Sequence, residues 1–161
     1  MQRMKNKEAT PQYIKENGQI VIVRREGIIW SPLRKIWLVE TPEESVRQEF
    51  LCVLINEYAY KPEQIAEEME VTGRGSAKAR ADFVIWRTPQ DKTDDKSPLI
   101  VVECKADNVT INRSVYEQGE NYARLTNARF FVTHNRSRSS RGSSFASRSI
   151  FSSNTAIVSS F

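Results

Sequence analysis

The stretch Leu99-Ile-Val-Val-Glu-Cys-Lys105 decides how this chain is read, because it places an acid and a base two residues apart on an otherwise apolar run. Side chains alternate across a pleated strand, so Leu99, Val101, Glu103 and Lys105 share one face while Ile100, Val102 and Cys104 take the other. Cys104 is therefore expected in the core. The earlier stretch Lys78-Ala-Arg-Ala-Asp-Phe-Val-Ile-Trp86 has the same build, with Asp82, Val84 and Trp86 on one face and Ala81, Phe83 and Ile85 on the other. If the two strands pair, Asp82, Glu103 and Lys105 converge.

Working outward, 19–24, 27–30 and 34–39 read as short strands, with Ser31-Pro32 a turn, and form a β extension over residues 1–40 that covers the rest of the domain. Thr41-Pro-Glu-Glu44 is a helix start in which Thr41 caps, Pro42 takes the first turn and Glu44 completes a capping box. The helix is expected to run to about Tyr58 with Phe50, Leu51, Leu54, Ile55 and Tyr58 buried; at roughly 100° per residue Glu44 lies near Leu51 and Glu49 on the far side. Residues 64–71 have helical composition, but their position asks for a strand. Gly73-Arg-Gly-Ser76 is a loop, and no Gly-Lys-Ser/Thr comes after it to make it phosphate-binding. A charged connection from Pro89 to Pro98 precedes the Glu103 strand. A helix from about Ile111 to Thr126 and a strand 129–133 complete the pattern, leaving His134 as a loop residue. The order predicts an α/β fold, a central mixed sheet flanked by helices.

On the later helix Ile111, Val115, Gln118, Tyr122 and Leu125 share a face, and Gln118 interrupts its apolar stripe. Taken alone, the helix suggests that Gln118 and Tyr122 satisfy buried backbone groups.

The formal charge of +4 does not argue for DNA. Residues 136–161 hold four arginines and no acid, which leaves 20 basic against 20 acidic residues in 1–135. Any argument for DNA rests on the site and on local patches such as Arg74, Lys78 and Arg80. No apolar run approaches the roughly 18 residues of a membrane span, and no signal-peptide core comes after the first Met, so a cytoplasmic protein with no membrane partner is expected. Cys52 and Cys104 read as buried thiols rather than a disulfide or a metal cluster. The Ser/Arg-rich tail 136–161 has no helical or strand period; it is expected to be disordered, or the product of a shifted reading frame or a truncation.

Chemistry gives the acids a purpose. Two carboxylates about 4 Å apart repel by roughly 4 kcal/mol at an effective dielectric of 20, so Asp82 and Glu103 call for a bridging cation. Mg²⁺ would take one oxygen from each, the backbone carbonyl of Cys104, water and a substrate phosphate. Lys105 would stabilise the attacking water and the charge on phosphorus. Glu44 would hold the metal's water shell or a second ion, although capping alone also explains it. The structural alternative for Lys105 is a buried ion pair with Asp82 or Glu103, which adds little net stability.

Asp82, then Glu103-x-Lys105, then Gln118-x-x-x-Tyr122 resembles the PD-(D/E)xK nuclease pattern with its QxxxY extension. Thr41-Pro-Glu-Glu-Ser-Val-Arg-Gln48 is similar to the opening of the amino-terminal nuclease domain of type I restriction enzyme R subunits. The resemblance covers about residues 28 to 135, with Ala81 standing where the family's name has proline. It implies a restriction-endonuclease-like core over 41–135 and a Mg²⁺-dependent endodeoxyribonuclease, with Mn²⁺ able to substitute. Gln118 and Tyr122 would orient Lys105 or the DNA. The implied partners are DNA and modification, specificity or motor subunits absent from this chain. The alternatives are an inactive nucleic-acid-binding or scaffolding module, or a junction or RNA nuclease on the same fold.

Overall fold

The structure, a computed structural model, describes residues 15–71, 79–135 and 155–159. It opens with two small antiparallel sheets. Strands β1 (Lys15–Glu16) and β2 (Gln19–Ile20) form a hairpin turned by Asn17 and Gly18, both at positive φ, as a two-residue type I′ turn requires. β3 (Arg24–Arg25), β4 (Ile28–Ser31) and β5 (Ile36–Val39) form the second sheet. The continuous strand expected over 19–24 is thus split. These sheets cover α1 (Pro42–Asn56): the Asn56 side chain donates to Ile20 O and accepts from Ile20 N, as a neighbouring strand would, and Arg24 pairs with Glu40 and Glu49.

Thr41 caps α1 by accepting from the Glu44 N–H at 3.1 Å, but the expected capping box is only half made. The Glu44 carboxylate turns inward to Arg47 and Gln48, because buried donors satisfy it better than the exposed Thr41 main chain would. The helix ends at Asn56, short of the expected Tyr58.

A 3₁₀ turn at Pro62–Gln64 leads into the main sheet: β6 (Ile65–Val71), β7 (Ala79–Ile85), β8 (Ile100–Cys104), β9 (Phe130–His134) and β10 (Thr155–Ser159). Its spatial order is β10-β9-β8-β7-β6, and only β8 and β9 are parallel, joined by α3 (Arg113–Thr126). A short α2 (Pro89–Thr93) lies within the charged connection between β7 and β8. The architecture is therefore α/β, a mixed sheet flanked by helices with an added N-terminal β region.

Each face of the sheet has its own core. Val46, Phe50, Leu51 and Leu54 of α1 pack on Phe83, Ile85, Ile100, Val102, Cys104 and Val132. Tyr122 and Ala123 of α3 pack with Val84, Trp86, Val101 and Phe131 on the other side. Gly119 lets α3 approach β9: a Cβ there would stand 2.7 Å from the Phe131 ring.

Five further expectations are corrected. Ala81 packs with Val84 and Trp86 rather than with Phe83 and Ile85, because strand alternation breaks at Asp82. There the β6–β7 ladder skips the opposed Glu68 and Asp82, and Glu68 adopts φ 55. The helix expected from Ile111 starts at Arg113, where Asn112 caps the Ser114 and Val115 N–H groups. Leu125 is exposed, since the buried arc of α3 instead runs through Val115, Gly119, Tyr122 and Ala123. His134 belongs to β9 and stacks on Phe50 with ring centroids 4.1 Å apart. Finally, the tail is not wholly irregular: Thr155–Ser159, rich in residues that favour strands, pairs antiparallel with β9 and covers what would be an open sheet edge. Residues 136–154, and the loop holding Arg74 and Lys78, lie outside the described residues.

Candidate active site

The β7–β8 ladder runs through Ile85↔Ile100 to Phe83↔Val102 and stops one step before Asp82 would meet Glu103. The strands part there, and side chains fill the gap. Asp82 Oδ2 accepts the Cys104 N–H at 2.6 Å, which brings the Cys104 main chain against the carboxylate. Glu103 Oε1 accepts from Lys105 Nζ at 2.7 Å and from Gln118 Nε2 at 2.9 Å, and Gln118 Nε2 also donates to the Tyr122 hydroxyl at 3.0 Å. The structure thus gathers Asp82, Glu103, Lys105, Gln118 and Tyr122 from β7, the end of β8 and α3. Gln118 meets the side chains of Glu103 and Tyr122 rather than the backbone groups that the helix alone suggested.

Both acids are buried, and among the described residues several polar atoms around them have no partner, Arg47 Nε and Gln48 Oε1 on the α1 side included. Glu103 Oε2 is buried without a hydrogen bond among the described residues, and so is Thr133 Oγ1. Thr133 is in parallel register with Glu103 and therefore shares its face of the sheet. Burial, then the charge of Asp82, pushes Glu103 up to about 7 against the pull of Lys105. Burial pushes Asp82 up to about 6 although Arg47 and the Cys104 N–H oppose it. Lys105 is held above its ordinary value: burial lowers it, but its hydrogen bond and charge pairing with Glu103 prevail.

Sequence reasoning missed Arg47. Its guanidinium contacts Glu44 at 2.8 Å, Glu68 at 2.7 Å and Asp82 at 2.6 Å. Burial works against its charge, yet the three acids outweigh burial and raise its pKa. Arg47 faces three anions while Asp82 faces one guanidinium among other acids, so the same pair pulls one partner toward its charged form and leaves the other short of it. Glu44 sits behind Arg47 with both oxygens engaged, Oε2 by Arg47 and Oε1 by Gln48 at 2.9 Å. The available signal was spacing: Glu44, Arg47, Gln48 and Leu51 fall at i, i+3, i+4 and i+7 on the buried side of α1.

Among the described residues no group of three or more His, Cys, Asp and Glu converges as a ready metal cage. A hard ion bound by two carboxylates plus waters and a phosphate needs no such cage. Asp82 and Glu103 fit that donor set in part: both are buried and one Glu103 oxygen has no partner among the described residues, whereas both Asp82 oxygens are engaged, by Arg47 and by the Cys104 N–H.

Gln118→Leu is expected to keep α3 packed, because the residue is only half-buried, yet to lower turnover on the order of a hundredfold by freeing Glu103. Melting and turnover measured on one preparation check this; a destabilised protein with normal activity per folded molecule would remove Gln118 and Tyr122 from the site.

No helix among the described residues is long and apolar enough to cross a membrane. No curated protein matches the chain. A family model described as the type I restriction enzyme R protein N terminus matches residues 42–141, starting at α1 rather than in the β extension and continuing past Asn135. The match takes in Arg47, Asp82, Glu103, Lys105, Gln118 and Tyr122 alike, and the chain belongs to the type I restriction enzyme R protein N-terminal family.

Proposed function

We propose that this site is the centre of a Mg²⁺-dependent DNA endonuclease, hydrolysing phosphodiester bonds without a covalent intermediate. The observation that carries the reading is Glu103, held at one oxygen by Lys105 and Gln118 and unpartnered at the other, beside a second buried carboxylate. Asp82, Glu103 and the backbone carbonyl of Cys104 would hold the ion, and Mn²⁺ would substitute. When bound, the ion polarises the phosphate and makes a coordinated water acidic. Lys105 places a positive charge where the attacking water loses its proton and where charge grows on phosphorus. Gln118, braced by Tyr122, fixes Glu103. Family membership supports DNA as substrate and modification, specificity and motor subunits as partners.

The Arg47–Asp82 contact favours a second reading, a module that binds nucleic acid and no longer cuts. Cleavage of supercoiled DNA separates them. Wild type is expected to nick with Mg²⁺ or Mn²⁺ and not with EDTA, and Lys105→Ala to lose at least roughly a hundredfold in rate while still binding DNA. Binding without metal-dependent cleavage by wild type would decide for the second reading.

A further inference from the structure

Arg47 is buried, with 8% of its surface exposed, and joins carboxylates from three elements: Glu44 on its own helix, Glu68 on β6 and Asp82 on β7. Nη1 serves Glu44 and Glu68 while Nη2 serves Asp82, a division that suits the fixed, planar donors of a guanidinium and not the single point of an ammonium. Asp82 depends on this contact. Opposite it Glu68 stands at φ 55 and the β6–β7 ladder has no pair, so its two oxygens are held by Arg47 Nη2 and the Cys104 N–H. The network continues outward, because Gln48 donates both to Glu44 and to Glu67 at 2.6 Å, and Glu67 accepts from Ser31 of β4. The acid site is tied through it to the N-terminal sheet.

We propose that Arg47 is the resident counter-cation of the acid site, a positioning residue that holds Glu44, Glu68 and Asp82 together without a divalent ion and competes with that ion for Asp82. The second half rests on the metal-dependent nuclease reading. Removing one partner of a buried ion cluster leaves uncompensated charge, and two cations on one carboxylate repel. Loss of Arg47 therefore weakens the metal-free protein and strengthens its hold on metal.

The test uses the full chain as wild type, Arg47→Met, Arg47→Lys and the double variant Arg47→Met/Asp82→Asn. In EDTA, Arg47→Met is expected to melt about 10 °C below wild type, and Arg47→Lys to recover less than half of that. Adding Asp82→Asn should restore part of the loss by removing an uncompensated charge. In a Mn²⁺ titration read by electron paramagnetic resonance, Arg47→Met should bind about tenfold more tightly than wild type. An Arg47→Met protein as stable as wild type, or one that Asp82→Asn does not improve, overturns the counter-cation role. If Arg47→Met fails to fold, a folded double variant supports that role and an unfolded one overturns it. Equal or weaker Mn²⁺ binding by Arg47→Met overturns the competition. A wild type that neither binds Mn²⁺ nor cuts DNA overturns the nuclease reading, and the competition with it, while the melting series in EDTA still decides the counter-cation role.

Discussion

Glu103→Gln is expected to abolish cleavage, by on the order of a thousandfold, in a protein that melts no lower than wild type near neutral pH. The substitution keeps an oxygen for Lys105 and Gln118 and nearly the same volume, so packing around the end of β8 has little reason to change. What it removes is a negative charge that the folded protein tolerates poorly, since burial and the neighbouring Asp82 push Glu103 up to about 7. The amide also brings a donor to the place of the unpartnered Oε2. Removing a carboxylate from this pair therefore relieves repulsion as it destroys the ion site. Plasmid nicking and thermal melting on the same preparation give both numbers, and a variant that unfolds, or one that cuts at the wild-type rate, would show that Glu103 is structural.

Local interactions were legible in the sequence, and distant ones were not. The Glu103–Lys105 strand and the Gln118–Tyr122 face come from the two-residue and three-to-four-residue periods, and residues 65–71 are a strand against their composition because the sheet needs one there. Those periods say which face a residue occupies, not what it meets. The break in alternation at Ala81 and Asp82 arises from Glu68 on the next strand, whose left-handed backbone no local pattern announces. The misread capping box has the same origin: Glu44 has a local partner in Thr41, but Arg47 and Gln48 bind its carboxylate in the interior. Strand β10 was illegible because its order comes from an unpaired edge of β9, supplied by a distant part of the chain. The cost of missing Arg47 was chemical. Two buried carboxylates were taken to need a metal to coexist, whereas one of them already has a guanidinium at 2.6 Å.

That distribution of charge predicts how stability depends on pH. Asp82 stands at about 6 and Glu103 at about 7, both above the ordinary carboxylate values of 3.8 and 4.5, so the folded protein binds more protons than the unfolded chain between those limits. Stability then falls as pH rises, because its slope is set by the protons bound by the unfolded state minus those bound by the folded one. The contribution is fully present below about pH 4, is lost progressively up to about pH 7 and levels off above it. With each tenfold change in proton affinity worth about 1.4 kcal/mol, the two rises would together amount to about 6 kcal/mol if independent. Because the two acids titrate as a coupled pair, the loss is on the order of half that, or about 6 to 12 °C in melting temperature. In EDTA the wild type should therefore melt higher near about pH 5 than at about pH 7.5. Mg²⁺ should restore the difference at the higher pH, where both carboxylates are free to bind it, and have little effect at the lower, where protons occupy them. Asp82→Asn/Glu103→Gln should melt with a flatter profile and ignore the metal at either pH. A wild-type profile that instead rises between those two pH values would mean that Arg47 and Lys105 hold both acids ionised in the folded state, and that the site has no deficit of positive charge for a divalent ion to fill.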